Sequence, residues 1–335
     1  MNTVLPEHLL TPTHRPAPST SRLLRRPLVA LAVVAALAAA ALPAQAHRPW
    51  LLPSASVVDG PQTVVTIDAA ISEDLFEFDS FPLALDALQV TAPDGSVLAT
   101  QSRAEARRRI SFDVDLVQKG TYRIAGVTDT AMATYKDKAG GEAKRWRGPA
   151  AALAQSVPAD AQELQVNYML SRAETFVTRD APGPVAPALA GKGLELQPLT
   201  NPTDLSVGDT SRFRLLLDGK PYANADVTVI RGGNRYRYKI GELALHTDAK
   251  GEFAVTWPEA GRYWLGANHG GRPAGPGGMS GMGGPGAPAG MGGAGGPGAA
   301  HQHADGAPAG TPAPQAGAAP NRRESYSATF EVLPK

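Results

Sequence analysis

From about residue 60 onward, apolar and polar positions alternate in short runs, broken every ten residues or so by Gly, Pro, Asp or Asn. A period of two with frequent turn residues predicts strands of antiparallel sheets. Residues 63–68 (TVVTID) alternate, and residues 88–91 lead into Pro93-Asp94-Gly95, beyond which residues 97–100 continue. That predicts a hairpin. In residues 110–116 (ISFDVDL), Ile110, Phe112, Val114 and Leu116 fall on one face, and residues 120–125 (GTYRIA) repeat the habit. An alanine-rich stretch at 150–165 predicts a short helix.

Residues 181–193 hold three prolines and three glycines and predict a linker. Beyond it the β pattern resumes through 213–217, 225–230, 243–247, 252–257 and 261–267, with turns at Asp218-Gly219-Lys220-Pro221 and Asp248-Ala249-Lys250-Gly251. The fold class expected is therefore all-β. Two antiparallel, Ig-like β-sandwich domains are expected at 47–180 and 194–335. From 270 to 321 the pattern stops in Gly, Pro and Ala interspersed with Met279, Met282, Met291, His301 and His303. Such a composition is expected to be disordered. Alternation returns at 326–333 (YSATFEVL), so the tract reads as an insertion between two strands, with the last strand pairing inside the second domain.

The amino-terminal end reads differently. Arg22, Arg25 and Arg26 precede an apolar run at 28–42, followed by Ala44-Gln45-Ala46, the small-x-small form cut by signal peptidase. Residues 1–46 are thus expected to be an export signal that delivers the chain to the periplasm. The apolar run falls short of the roughly 20 residues that span a bilayer. No transmembrane segment is expected after the cut. Removing Arg15, Arg22, Arg25, Arg26 and Glu7 turns 32 basic and 31 acidic residues into 28 and 30. The balance lacks the basic excess of a nucleic-acid binder, and the triplet Arg107-Arg108-Arg109 reads as a solvated strand entry. The chain has no cysteine, so a metal would be held by nitrogen, oxygen or methionine sulfur.

Cutting after Ala46 makes His47 the first residue, in His47-Arg48-Pro49-Trp50. A terminal histidine offers an α-amine and an imidazole that both lose protons around neutral pH. Together they close a chelate ring on one ion, and such nitrogen donors suit nickel, cobalt, copper and zinc.

His47-Arg48-Pro49-Trp50-Leu51-Leu52-Pro53-Ser54, followed by Thr66-Ile67-Asp68-Ala69-Ala70-Ile71-Ser72 and Asp74-Leu75-Phe76, resembles a family of Gram-negative exported proteins of formally unknown function. That family has been described as the periplasmic component of a cobalt or nickel uptake system. The second half, through Gly219-Lys220-Pro221, 226–229 and 247–253, is similar to carboxypeptidase-regulatory β-sandwiches. The resemblance implies a periplasmic binding or accessory protein for transition-metal uptake, working near an outer-membrane receptor or an inner-membrane permease.

For a nickel or cobalt ion, with copper as an alternative, His47 is the expected ligand, with His269 and Asp68 as further donors. His269 is chosen because it closes a strand at the mouth of the insertion, and Asp68 because it ends a strand within the family-like segment. The rest of the acidic stretch, Glu73, Asp74, Glu77, Asp79 and Asp86, reads as a solvated loop anchored by Leu75, Phe76, Phe78 and Phe81. His246, on an alternating strand, reads as structural.

Two other functions are weighed. A terminal histidine on a β-sandwich is similar to copper-dependent polysaccharide monooxygenases, but the nearest second histidine in the ordered part, His246, lies 199 positions on. No nucleophile elbow, His-Glu-x-x-His or phosphate loop is present, and no catalysis is expected. A noncatalytic protein or glycan interaction module would instead use exposed Trp50, Trp146, Trp257 and Trp264.

Overall fold

The alternating runs become strands in chain order. β1 (Arg48–Pro53), β2 (Val57–Val58), β3 (Val64–Ser72) and β4 (Phe81–Pro82) come first, then β5 (Ala87–Thr91), β6 (Val97–Leu98), β7 (Gln101–Glu105) and β8 (Ile110–Asp115). The long β9 (Gly120–Lys136) and β11 (Gln162–Arg179) flank β10 (Ala143–Pro149). After them come β12 (Leu194–Pro198), β13 (Thr210–Leu217), β14 (Lys220–Pro221) and β15 (Asp226–Arg231). Last are β16 (Leu243–His246), β17 (Glu252–Thr256), β18 (Gly261–His269) and β19 (Asn321–Val332). This computed structural model describes residues 47–60, 63–185, 189–238, 241–270 and 321–335. The expected export signal and the expected disordered tract lie outside the described residues. The helix expected at 150–165 is a short turn at Ala150–Ala152 and one at Leu153–Ser156, before β11 starts.

The strands form three sheets. A five-stranded sheet runs β1-β3-β8-β7, with β4 on β3. A four-stranded sheet runs β12-β13-β14, with β17 on β13. Between them lies a ten-stranded sheet, β16-β15-β18-β19-β11-β9-β5-β6, with β10 on β9 and β2 on β11. The fold is all-β, as the alternation requires.

Neighbouring side chains on β11 point to opposite faces, and the two faces of the central sheet serve different cores. On the front face, Val177, Ala173, Tyr122, Ile124 and Val90 pack against Leu51, Val65, Ile67, Phe112 and Val114 of the five-stranded sheet. On the back face, Phe176, Tyr326, Phe330 and Leu265 pack against Leu196, Phe213, Leu215 and Val255 of the four-stranded sheet. Two sandwiches thus share a middle layer. β19 pairs antiparallel with β18 and parallel with β11, so its hydrogen bonds run across both halves of the chain.

A charged network is buried on the back face. Glu174, fully buried, lies 3.3 Å from Arg123 and 3.5 Å from Arg172, and accepts a 2.7 Å bond from the Tyr326 hydroxyl. Glu195 pairs with Arg172 at 3.4 Å and accepts from the backbone N–H groups of Ala190 and Gly191. The Pro/Gly segment between the halves is tied to the sheet by these bonds. Buried charges persist only when paired and hydrogen-bonded in this way.

A third cluster joins β1 to the central sheet. Trp50, Leu52, Ala70, Leu75, Ile230 and Trp264 are buried together, with Phe76 and Phe78 against them. The Trp264 indole donates to the Pro49 carbonyl at 2.9 Å. The Trp50 indole donates to the Ser72 hydroxyl at 2.8 Å. Trp50, Trp257 and Trp264 are all fully buried and Trp146 packs in a small cluster with Tyr135 and Val157. Of the four tryptophans expected at an exposed surface, three are therefore consumed by packing and Trp146 is half-buried, while Phe81, Tyr236 and Tyr238 are the large aromatics exposed among the described residues.

Candidate metal centre at the head of the first strand

β1 is an edge strand, paired only to β3, from Arg48 opposite Ser72 to Pro53 opposite Ile67. Pro49 and Pro53 have no N–H to give, which an edge position tolerates. His47 stands just before this strand, and the register carries it toward Glu73, the residue after Ser72. The His47 Nε2 lies 3.6 Å from a Glu73 carboxylate oxygen, and both side chains reach solvent, at 32% and 49% exposure. The Phe81 ring lies 5.8 Å from the imidazole.

Glu73 is fixed from both sides of its backbone. Its N–H donates to Asp79, which also accepts from the N–H of Asp74, and its carbonyl accepts from the Arg48 guanidinium at 3.2 Å. Arg48 lies over the Trp264 ring, and burial lowers its pKa against the opposing pull of Glu242 and Asp74. Asp74 in turn holds Arg235 at 3.1 Å, which brings the loop after β15 next to the turn that carries Glu73.

In the uncut chain the nitrogen of His47 belongs to a peptide bond; cutting after Ala46 makes it an amine. A chelate through that amine closes a six-membered ring with Nδ1. Nε2 is then left facing Glu73. A metal-bound imidazole commonly gives its second nitrogen to a carboxylate, which fixes the ring and raises its basicity.

The other two expected ligands lie elsewhere. Asp68 sits opposite Leu52, five residues along β1 from His47, or roughly 17 Å at the rise of a strand. It is held by the Ser111 hydroxyl and by Arg109 at 3.6 Å. His269 ends β18 opposite Glu324, with its Nδ1 2.9 Å from the Tyr222 hydroxyl. It lies five residues along β18 from Trp264, the residue that contacts Pro49, a span of roughly 17 Å. His47, Asp68 and His269 are not brought together. Among the described residues, no group of three or more His, Cys, Asp or Glu is placed to hold one ion. His246 pairs with Asp226 at 2.8 Å on an exposed edge.

Glu73 is the partner that sequence reading passed over as a loop residue. The signal that finds it is the β1–β3 register, which the pattern of either strand alone does not contain. Of the apolar anchors expected around it, Leu75, Phe76 and Phe78 do pack inward, whereas Phe81 stays 39% exposed beside His47.

A family model matches residues 44–271. The chain belongs to the family described as a domain of unknown function, DUF4198. The matched region of this DUF4198 protein contains β1 to β18, and β19 follows it. No curated protein matches the sequence. Among solved structures, it is similar to Escherichia coli alpha-2-macroglobulin activated by porcine elastase at 14% identity and a TM-score of 0.20, over 68% of this chain and 19% of that one. It is similar to the D0-D1 domain of intimin at 11% identity and a TM-score of 0.17, over 65% and 88%. The human OSCAR ligand-binding domain aligns at 15% identity and a TM-score of 0.16, over 68% and 93%. The chain spans about a fifth of the first of these, and likeness at such scores supports no transfer of function. No helix among the described residues is long and apolar enough to cross a membrane.

Proposed function

We propose that this DUF4198 protein binds a divalent transition-metal ion after export, through the amine and Nδ1 of His47, and passes it to uptake machinery. Glu73 holds the imidazole. The observation that carries this reading is the Glu73 carboxylate at 3.6 Å from Nε2, on the ring nitrogen that a terminal chelate leaves over. Nickel or cobalt is the cargo that the family resemblance suggests, copper the ion that such donors bind most tightly. The His47 and Glu73 side chains both reach solvent, as a carrier that must release its ion requires. An outer-membrane receptor or an inner-membrane permease is the partner this reading calls for, and no bond-making chemistry is assigned.

The test is competitive titration of Ni²⁺, Co²⁺, Cu²⁺ and Zn²⁺ into protein beginning at His47 and into protein with one glycine added before it. Tight binding confined to the first form is expected. Equal affinity in the two forms removes the mechanism.

A second reading, a noncatalytic interaction module, draws on Tyr236 and Tyr238, which are 79% and 110% exposed. Their loop is anchored by Arg235 on Asp74 and by Arg237, which donates to the carbonyls of Arg231 and Gly232. Loss of metal binding in both forms above would make this the better account.

A further inference from the structure

The backbone nitrogens of β1 are not equivalent. In an antiparallel pair, alternate residues turn both N–H and C=O to the partner strand, and those between turn them away. Ser54, directly after β1, donates its N–H to the Thr66 carbonyl at 2.8 Å. This pair continues the register that sets Leu52 opposite Asp68, Trp50 opposite Ala70 and Arg48 opposite Ser72. The even-numbered residues therefore face β3. The odd-numbered ones turn away from it, and two of the three within β1 are prolines, Pro49 and Pro53. In keeping with that alternation, the Pro49 carbonyl is the one that accepts from the Trp264 indole, at 2.9 Å.

The nitrogens that follow His47 are thus withheld in turn. The Arg48 N–H is turned to Ser72, and the Arg48 side chain fastens that end of the ladder, through the Glu73 carbonyl at 3.2 Å and over the Trp264 ring at 5.8 Å. Pro49 has no N–H at all. Trp50 faces Ala70 inside the buried cluster. This bears on the choice of metal. A Cu²⁺ or Ni²⁺ ion anchored on a terminal amine expels the proton of the next amide to solvent, binds the nitrogen left behind, and repeats the step at the following residue. The product is the planar nitrogen set that these two ions favour. Co²⁺ and Zn²⁺ take that route far less readily. A proline ends it, because its nitrogen carries no proton to give up.

We propose that Pro49 is a specificity-determining residue: it stops a bound ion from advancing along the backbone, so that the terminus gives only the amine and Nδ1 of His47. The inference rests on the His47 chelate proposed above and adds how that site discriminates. Pro49 does not touch the ion. It acts by denying Cu²⁺ and Ni²⁺ the planar set from which their advantage over Co²⁺ comes. The ion keeps its remaining positions for water and for the donor that receives it, and handing it over requires two nitrogens to let go instead of a wrapped backbone.

The experiment is visible spectroscopy of the Ni²⁺ and Cu²⁺ complexes of protein beginning at His47 and of its Pro49→Ala variant, as pH is raised from 7 to 9. Co²⁺ binding to the parent and to His47→Ala is measured alongside. The parent's Ni²⁺ is expected to keep the weak absorption of a six-coordinate, paramagnetic ion throughout. Pro49→Ala is expected to turn to the intense yellow of planar, diamagnetic Ni²⁺ as pH rises, with its Cu²⁺ band at shorter wavelength than the parent's. Circular dichroism establishes that the variant is folded. Planar Ni²⁺ in the parent would overturn the inference whatever the variant does, and so would identical spectra of the parent and the folded variant. Either result leaves the His47 chelate standing when Co²⁺ binds the parent and not His47→Ala. Equal Co²⁺ binding to those two, or none to either, would overturn the chelate and this inference together.

Discussion

The indole of Trp264 donates a 2.9 Å hydrogen bond to the carbonyl of Pro49, 215 positions away. The bond is buried, and it pins an edge strand to the middle sheet two residues from His47. β1 has a ladder on one side only, so this contact and the packing of Trp50 hold the head of the strand in place. Replacing Trp264 by Phe keeps most of the ring and removes the donor, which leaves a buried carbonyl unpaired. A loss of about 1–3 kcal/mol is expected, readable in urea unfolding. Metal affinity of the processed form should fall with it, because His47, the proposed chelating residue, immediately precedes β1.

Glu73 orients His47 and does not itself bind the ion in the proposed arrangement. Glu73→Ala should therefore weaken metal binding by about 10- to 100-fold, while Glu73→Gln, which can still accept from Nε2–H, should recover part of it. Titration of each variant in the processed form reads this out. A Glu73→Ala protein with parental affinity would detach Glu73 from the site.

Glu174 is the hub of the buried network, touched by Arg123, Arg172 and Tyr326. Glu174→Ala leaves two guanidinium groups in the interior with their main counter-charge gone. A destabilisation of about 3–5 kcal/mol is expected, measured by chemical denaturation. Tyr326→Phe removes one bond and should cost less, about 1–3 kcal/mol.

Glu324 lies 3% exposed opposite His269. Burial raises its pKa, against the lowering influence of Arg322, and the charge of Asp218 raises it further. A carboxyl whose folded pKa lies above its unfolded value favours folding when protonated. Its stabilisation is complete below the unfolded value, about 4.3 for glutamate, and is lost as pH rises through the folded one. Glu324→Gln stays uncharged throughout. Thermal melts from pH 4 to 7 should show the variant gaining on the parent as pH rises; parallel curves would contradict the assignment.

Much of the fold was legible in the chain. The alternation of ISFDVDL appears as the buried and half-buried alternation of β8, because side-chain direction in a strand is a local property of its backbone. Arg107, Arg108 and Arg109 are exposed at the entry to β8, as their charge implied. The short reading GTYRIA was extended by structure into a 17-residue strand. Its later residues, Thr128 to Thr134, set Asp129, Ala131, Met132 and Ala133 among the threonines, and their strand state is supported by pairing with β10 and β11 on either side. The tryptophans could not be placed from sequence, since a large ring has the same composition whether it fills a core or faces water.

The sequence by itself determined that the chain is β-rich, where its turns fall, that no thiolate chemistry is available, and that cutting after Ala46 would expose a histidine. Only the tertiary structure decided which strands are neighbours. Strand pairing depends on contacts between residues far apart in the chain, such as β11 with β19, and the period of two is the same whichever partner is chosen. For that reason the shared middle sheet, the separation of His47 from Asp68 and His269, and the meeting of His47 with Glu73 all had to come from three dimensions.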